Sequence, residues 1–245
     1  MIELEHVVVE YGRGTRATRA VDGINLEVGE GESVALIGPS GCGKTSLLFA
    51  IAGLHTSKQG EIRIGDEPIR GTRREIALIL QDAGLLPWKT VWQNANLSLN
   101  LHGEYPSRTA EDVLGELGLS DVKDRYPAEL SEGMKRRVGV ARALSTSPLV
   151  MLMDEPLASL DTLTKERIQD LFLRLWQSRQ FSMILVTHDI EEAAFLGQRI
   201  VVLTERPARI KAIVSNDQVG SLDFRETDAF LRTVRRLREA LEAQV

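Results

Sequence analysis

The sequence predicts an α/β protein with a parallel sheet at its centre, an antiparallel β layer beside it and a helical insertion. First, the apolar run 34–37 leads through a glycine-rich loop into an apolar helix at 47–52. Second, later apolar runs at 76–80, 150–153 and 182–186 are each followed by polar residues. Third, several strands precede the first long helix, which is typical of an antiparallel layer packed beside an α/β core.

The N-terminal elements follow from alternating hydrophobicity. Residues 2–10 alternate and are rich in valine, which predicts a strand that ends at Tyr11 and Gly12. A polar loop at 13–19 then separates this strand from a second one at 20–28. After the first helix, residues 61–64 alternate again and lead into a hairpin-type turn.

The later elements are mostly helical until the strands return. Residues from about 82 to 147 predict helices that are interrupted by Gly, Pro and Ser. Strands are then expected at 150–153, 182–186, 200–203 and 209–214, with an amphipathic closing helix at 230–241. In the helix at 163–177, the residues expected to share one face are Leu163, Ile168, Leu171, Phe172 and Leu175.

Length and composition favour one large domain. The chain has 245 residues, of which 43% are hydrophobic and 27% charged, with a formal net charge of -5. We expect a single domain over 1–245, with the core and antiparallel layer at about 1–81 and 148–245 and a helical subdomain at about 82–147. The acidic charge argues against a dedicated nucleic-acid partner. Neither a signal peptide nor a membrane-spanning run is recognised, so we expect a cytosolic protein that reaches a membrane only through a partner.

A phosphate loop is the most specific motif. Gly38, Gly43, Lys44 and Thr45 fit the pattern G-x-x-x-x-G-K-[ST] between a strand and a helix. Backbone N–H groups and the helix N-terminus would hold phosphate oxygens, Lys44 would reach the β- and γ-phosphates of ATP, and Thr45 would hold Mg²⁺. The alternative is a glycine-rich turn without a ligand. The predicted ATP-binding residues of the loop are Gly38, Pro39, Ser40, Gly41, Cys42, Gly43, Lys44, Thr45 and Ser46.

Cys42 is the single cysteine, so no intrachain disulfide can form.

Polar residues follow four of the predicted strands: Lys44, Gln81, the pair Asp154 and Glu155, and His188. The carboxyl ends of parallel strands line one crevice, so these side chains should converge. Asp154 is a candidate ligand of Mg²⁺ through water, and Glu155 a candidate to polarise an attacking water. Alternatively, both carboxylates cap a following helix or face solvent. His188 alone would be read as structural or solvated, with capping of the next helix by Asp189 also open.

Together these motifs resemble the nucleotide-binding subunit of ABC transporters. The resemblance rests on the phosphate loop, Gln81, residues 130–134 (LSEGM), residues 153–156 (MDEP), residues 159–161 (SLD) and His188. It covers essentially the whole chain and implies a P-loop NTPase (RecA-like) fold. It also implies that two copies sandwich two ATP molecules head to tail.

The resemblance also implies the site roles, residue by residue. Tyr11 would stack on adenine, and Lys44 with the loop amides would hold the triphosphate. Gln81 would sense Mg²⁺ and the attacking water, and Thr45, Gln81 and Asp154 would serve the metal. Glu155 would be the general base and His188 the γ-phosphate switch. The signature residues that would act on the opposing copy's nucleotide are Ser131, Glu132, Gly133 and Met134, with Asp161 in the adjacent D-loop.

Glu132 departs from the commonest form of the signature. A carboxylate beside a γ-phosphate would repel it unless the side chain points away. The hydroxyl of Ser131 and the N–H of Gly133 would still act. The basic residues 135–137 and Arg142 follow on the same predicted helix, either as a solvated face or as a modest electrostatic contribution.

Apolar residues in a loop suggest a membrane partner. Leu85, Leu86 and Trp88 would either pack locally or form a groove for a helix of a permease. This loop, Met134 and residues 205–207 are similar to the ATPases of the nitrate, sulfonate and taurine importer group. The resemblance therefore implies an ATP hydrolase at the cytoplasmic face of the membrane, with permease subunits and a solute-binding protein as partners. The competing hypotheses are a soluble ABC ATPase acting on a macromolecular assembly and a scaffold that does not hydrolyse ATP.

Overall fold

The computed structural model describes residues 1–12, 14, 17–101 and 108–243. Residues 13, 15 and 16 of the predicted loop lie outside the described residues. So do residues 102–107 of the predicted helical insertion. The strands are β1 (Ile2–Tyr11), β2 (Thr18–Val28), β3 (Ser33–Ile37), β4 (Gln59–Ile64), β5 (Glu67–Pro68), β6 (Ile76–Ile79), β7 (Val150–Asp154), β8 (Ser182–Val186), β9 (Arg199–Leu203) and β10 (Ile210–Ser215). The α-helices are α1 (Lys44–Ile51), α2 (Val91–Ala95), α3 (Leu97–Leu101), α4 (Arg108–Glu116), α5 (Glu132–Leu144), α6 (Thr162–Arg179), α7 (Ile190–Leu196) and α8 (Asp228–Glu242).

Two sheets form the β structure. The larger sheet has the order β10-β9-β3-β8-β7-β6, and the smaller has the order β2-β1-β4-β5. In the larger sheet β9, β3, β8, β7 and β6 are parallel, and β10 pairs antiparallel with β9 at one edge. All pairs of the smaller sheet are antiparallel. The predicted parallel core and antiparallel layer are both present.

The parallel sheet is buried on both faces, as its continuous apolar strands require. On β3, Val34 and Leu36 join a cluster with α1 and the smaller sheet. Ala35 and Ile37 point the other way, into a cluster that includes residues of α5, α6 and α7. The central strand therefore holds the phosphate loop between two packed layers.

The structure corrects one helix face. Leu163 is predicted to share a face with Ile168 and Phe172 of α6, but it is 65% exposed whereas those two side chains are buried. The helix begins at Thr162, and its buried face starts only at Ile168. The first turn of α6 therefore presents an apolar side chain to solvent. Within the described residues, no helix combines the length and the hydrophobicity needed to cross a membrane.

Candidate nucleotide-binding site

The phosphate loop connects the end of β3 to the start of α1. Gly43 has φ 131°, and a Cβ at this position would lie 2.4 Å from the Ala20 carbonyl oxygen, so only glycine fits. Gly41 also has a positive φ, 73°, and faces open space. Gly43 is the N-cap of α1, and no side chain caps this end of the helix. The first N–H groups of α1 are thus left for an anion.

The Lys44 side chain folds back across the loop. Its Nζ donates to the carbonyl oxygens of Gly38 at 2.8 Å and Pro39 at 2.9 Å, and the residue is buried. Cys42 is buried inside the loop, whereas Pro39 and Ser40 are exposed and Ser46 is half-buried. The ammonium group therefore sits among the loop carbonyls, where a phosphate could compete for it.

Thr45 and Asp154 meet between α1 and β7. The Thr45 hydroxyl donates to Oδ1 of Asp154 at 3.1 Å. Burial raises the pKa of Asp154, while the bond from Thr45 and the charge of Lys44 act in the opposite direction. A hydroxyl and a carboxylate in contact are oxygen donors that suit Mg²⁺, which keeps several of its waters. No group of three or more His, Cys, Asp or Glu that could hold a metal ion occurs in the described ranges, so any ion here would rely on the Thr45 hydroxyl and on water beside Asp154.

Glu155 and His188 face each other across the ends of β7 and β8. Oε2 of Glu155 lies 3.2 Å from Nδ1 of His188, and the two side chains are 26% and 61% exposed. Neither Asp154 nor Glu155 caps the next α-helix, because α6 begins at Thr162 and is capped by Asp161. The open alternative for Asp189 is confirmed, since its side chain caps α7.

Gln81 and Tyr11 are two further predicted site residues, and both are exposed. Gln81 is exposed and comes shortly after β6, at the same sheet edge as Asp154. Tyr11 ends β1 and is 37% exposed. Its ring contacts His55 edge-on at 4.5 Å between centroids, which leaves part of the ring accessible.

The signature residues form a second face. Ser131 is the N-cap of α5 and accepts from the N–H of Met134 at 3.3 Å. The Glu132 carboxylate pairs with Nζ of Lys135 at 2.7 Å, so its charge is partly neutralised. A Cβ on Gly133 would lie 2.9 Å from Cγ2 of Thr164.

Asp161 joins this face beside Thr164. Its Oδ1 accepts from the N–H of Thr164 at 3.0 Å, and the hydrogen bonds from Thr164 lower the pKa of Asp161. A groove of about 910 Å³ is lined by Ser131, Glu132, Gly133, Asp161 and residues of α6. None of the residues from 38 to 46 lines this groove. The chain thus brings the phosphate-loop residues together at one site and the signature residues at another.

Two arginines of α5 have roles that the sequence did not reveal. Arg136 is buried and donates to the carbonyl oxygens of Leu80 at 3.4 Å and Ala158 at 3.2 Å. Arg142 donates to the carbonyl oxygens of Gly84 at 2.7 Å and Ala83 at 2.5 Å. These side chains hold the segment after β6 rather than forming a solvated face.

Many known proteins are similar to this chain in sequence or in fold. Residues 21–158 match the ABC transporter family. The taurine import ATP-binding protein TauB of Shigella flexneri is 39% identical over 213 residues, which cover 86% of this chain and 82% of that protein. The aliphatic sulfonates import ATP-binding protein SsuB of Bacillus cereus is 37% identical over 216 residues, or 88% of this chain and 86% of that protein.

A solved cassette has the same fold. MJ0796, an ATP-binding cassette solved as a dimer in a post-hydrolysis state with ADP and Pi, superposes with a TM-score of 0.77. The two sequences are 29% identical, and the match covers 88% of this chain and 98% of that one. This similarity confirms the predicted P-loop NTPase fold. By its sequence, its sheet order and its phosphate loop, the chain belongs to the ABC transporter family.

Proposed function

We propose that the chain is the ATP-hydrolysing subunit of an importer for a small solute, such as nitrate, a sulfonate or taurine. The observation that carries this proposal is the convergence of Lys44, Thr45, Asp154, Glu155 and His188 at one sheet edge. The relatives that import taurine and aliphatic sulfonates support the class of solute.

The phosphate loop would bind the triphosphate of ATP. The uncapped N–H groups of α1 and the positive end of its dipole favour an anion there. Lys44 would exchange its bonds to Gly38 and Pro39 for phosphate oxygens. Thr45, Asp154 and Gln81 would hold Mg²⁺, partly through water. When bound, this ion neutralises charge on the phosphates.

Glu155 would act as the general base. Its carboxylate would take a proton from the attacking water, and His188, whose Nδ1 lies 3.2 Å from Oε2 of Glu155, would lie beside that water. His188 would contact the γ-phosphate, and Tyr11 would stack on adenine with its accessible ring face. Catalysis then rests on positioning and charge stabilisation of a loose transition state.

A second copy would complete the site. The groove at Ser131, Gly133 and Asp161 lies apart from the phosphate loop in one chain, so the γ-phosphate would be contacted by the signature residues of another. Glu132 is compatible with this arrangement because Lys135 holds its carboxylate. The dimer of MJ0796 supports assembly of two copies, which we propose to be head to tail.

Permease subunits would bind at the loop that follows Gln81. Trp88 is 69% exposed, and Leu85 and Leu86 are half-buried beside it. Buried Asn94 fixes this loop through bonds to the backbone of Leu86 and to the carbonyl oxygen of Lys89. A rigid loop with an exposed aromatic residue suits a partner helix. The subunit would therefore lie at the cytoplasmic face of the membrane, held by permease subunits that work with a solute-binding protein.

The chain would form one ABC ATPase domain over 1–245. Its core and antiparallel layer would span about 1–81 and 148–245. A helical subdomain over about 82–147 would carry both the signature residues and the permease loop.

The substitution Glu155→Gln tests the proposed catalysis. We expect ATP turnover to fall about a hundredfold or more, because Gln cannot take the proton, while ATP binding is kept. Turnover by the purified protein and binding of a fluorescent ATP analogue measure the two effects. Glu166→Gln, which changes an exposed residue of α6, is the matched control. Equal turnover of Glu155→Gln and wild type would contradict the general-base role.

A further inference from the structure

His188 has little of its own to hold it in place. Its side chain is 61% exposed, and its described partner is the carboxylate of Glu155. An exposed imidazole between β8 and α7 takes its orientation from the backbone on either side. The residues before and after it, Thr187 and Asp189, therefore decide where the ring points.

Thr187 is fixed to the core. Its N–H donates to the Leu36 carbonyl oxygen at 3.2 Å, and its hydroxyl donates to Oε2 of Glu192 at 2.7 Å. The same hydroxyl accepts from the N–H of Asp189 at 3.0 Å. The start of the turn is thus anchored to β3 and α7.

Asp189 connects the turn to a different element. Its Oδ1 accepts from the N–H groups of Glu191 at 2.8 Å and Glu192 at 3.1 Å, which caps α7. Its Oδ2 forms an ion pair with Lys165 of α6, and both side chains are mostly buried, at 32% and 22% exposure. Burial raises the pKa of Asp189, but the Lys165 ammonium and the capped N–H groups outweigh it, so the pKa is lowered overall.

Lys165 lies one turn after Asp161, the N-cap of α6. The Asp161 carbonyl oxygen accepts from the Lys165 backbone N–H at 2.9 Å, and Asp161 belongs to the segment 159–161 beside the groove of Ser131 and Gly133. A small cavity of about 100 Å³ has both Ser159 and Leu160 in its wall, together with Glu155, Lys165 and His188. The groove that would receive a second copy and the ring of His188 are therefore joined through the first turn of α6.

We propose that Lys165 is a positioning residue that couples segment 159–161 to His188 through its ion pair with Asp189. A second copy seated against segment 159–161 would move the first turn of α6, and Lys165 would carry that movement to the turn that holds His188. The inference rests on the proposed function, because it assigns the route by which dimer contacts reach the hydrolytic site.

Kinetic comparison of three variants tests this coupling. Lys165→Met removes the charge at similar length, Lys165→Arg restores it, and Asp189→Asn keeps the α7 cap without the ion pair. We expect Lys165→Met to lower kcat about tenfold with KM for ATP within about twofold. Lys165→Arg should recover most of this loss, and Asp189→Asn should match Lys165→Met. Lys123→Met, which breaks an exposed pair with Glu111, is the control and should behave as wild type.

A double-mutant cycle separates this route from a general structural effect. In the background His188→Ala, Lys165→Met should cause no further loss of kcat. An equal fold loss in both backgrounds, or unchanged kcat of Lys165→Met, would overturn the proposal. Thermal unfolding of each variant shows whether it is folded.

NMR of the histidine rings gives a readout that needs no ATP turnover. The chain has four histidines, so the ring signals can be assigned by substitution. We expect the His188 signals to shift in Lys165→Met and to return in Lys165→Arg, with the His6 and His55 signals unchanged. Unchanged His188 signals in Lys165→Met would overturn the coupling. A wild-type protein without ATP turnover would instead contradict the proposed function.

Discussion

Glu155 occupies the left-handed backbone region, with φ 46°. Residues with a Cβ seldom adopt this conformation, and it costs on the order of 1–3 kcal/mol. Two backbone hydrogen bonds hold it in this conformation. The N–H of Glu155 donates to the Val186 carbonyl oxygen at 2.9 Å, and the Glu155 carbonyl oxygen accepts from the N–H of Ala158 at 3.2 Å. The carboxylate is thereby aimed at His188 instead of continuing the line of β7.

Glu192 is a second unusual carboxyl group near the site. It is 3% exposed, and its Oε1 has no partner among the described residues. Burial raises the pKa of Glu192 to about 7, although the bond from Thr187 and the charge of Lys165 lower it. In the folded protein this group therefore binds a proton in a pH range where the unfolded chain has lost it.

Substitution Glu192→Gln should change how stability depends on pH. Between about pH 4.5 and 7 the folded state of the wild type binds more protons than the unfolded state, so its stability falls as pH rises. Glutamine has no such titration. We expect the free energy of unfolding of Glu192→Gln, relative to wild type, to increase from pH 5 to pH 8 by on the order of 3 kcal/mol. Urea unfolding at both pH values measures this, and parallel pH profiles would contradict the assignment.

At the scale of elements, α5 connects two parts of the molecule. Its N-cap is Ser131 of the signature, and Arg136 in its second turn reaches the carbonyl oxygens after β6 and β7. The sequence pattern predicted the helix but not these bonds, because an arginine in a basic run reads equally well as a solvated residue. The prediction for Leu163 failed for a related reason. Helical periodicity predicts the face on which a residue lies, but it does not predict whether a neighbouring element covers that turn.

The loop after β6 allows a test of the proposed permease site. Trp88→Ala removes the exposed ring while Asn94 keeps the loop backbone in place. We expect ATP turnover of the purified protein to stay within about twofold, because the ring lies outside the phosphate-loop site. Recovery of the protein with membranes, when it is expressed with its permease, should fall severalfold, since aromatic anchors dominate such interfaces.

The control for this experiment is Leu231→Ala, which removes a similarly exposed apolar side chain from α8. It should leave membrane recovery unchanged. Equal membrane recovery of Trp88→Ala and wild type would contradict a permease site at this loop.

At the scale of the whole molecule, the sequence predicts best which side chains meet at the carboxyl ends of the parallel strands. Lys44, Asp154, Glu155 and His188 converge because parallel strands end on the same side, and apolar runs followed by polar residues mark those ends. The strained backbone at Glu155 and the hydrogen bonds of Arg136 to the segments after β6 and β7 depend on long-range contacts. No local sequence pattern predicts such contacts. The separation between the phosphate-loop site and the groove of the signature residues likewise depends on the folded chain.

The central claim is that one ATP site is built from two copies, with Lys44 from one and Ser131 from the other. Turnover of a mixture of two inactive variants, Lys44→Ala and Ser131→Arg, tests it most directly. In an equal mixture about half of the dimers carry both variants, and each has one intact site of two, so we expect about a quarter of the wild-type turnover. Each variant alone should remain inactive, and thermal unfolding should show that both are folded. Turnover of the mixture no higher than that of the separate variants would contradict the shared site.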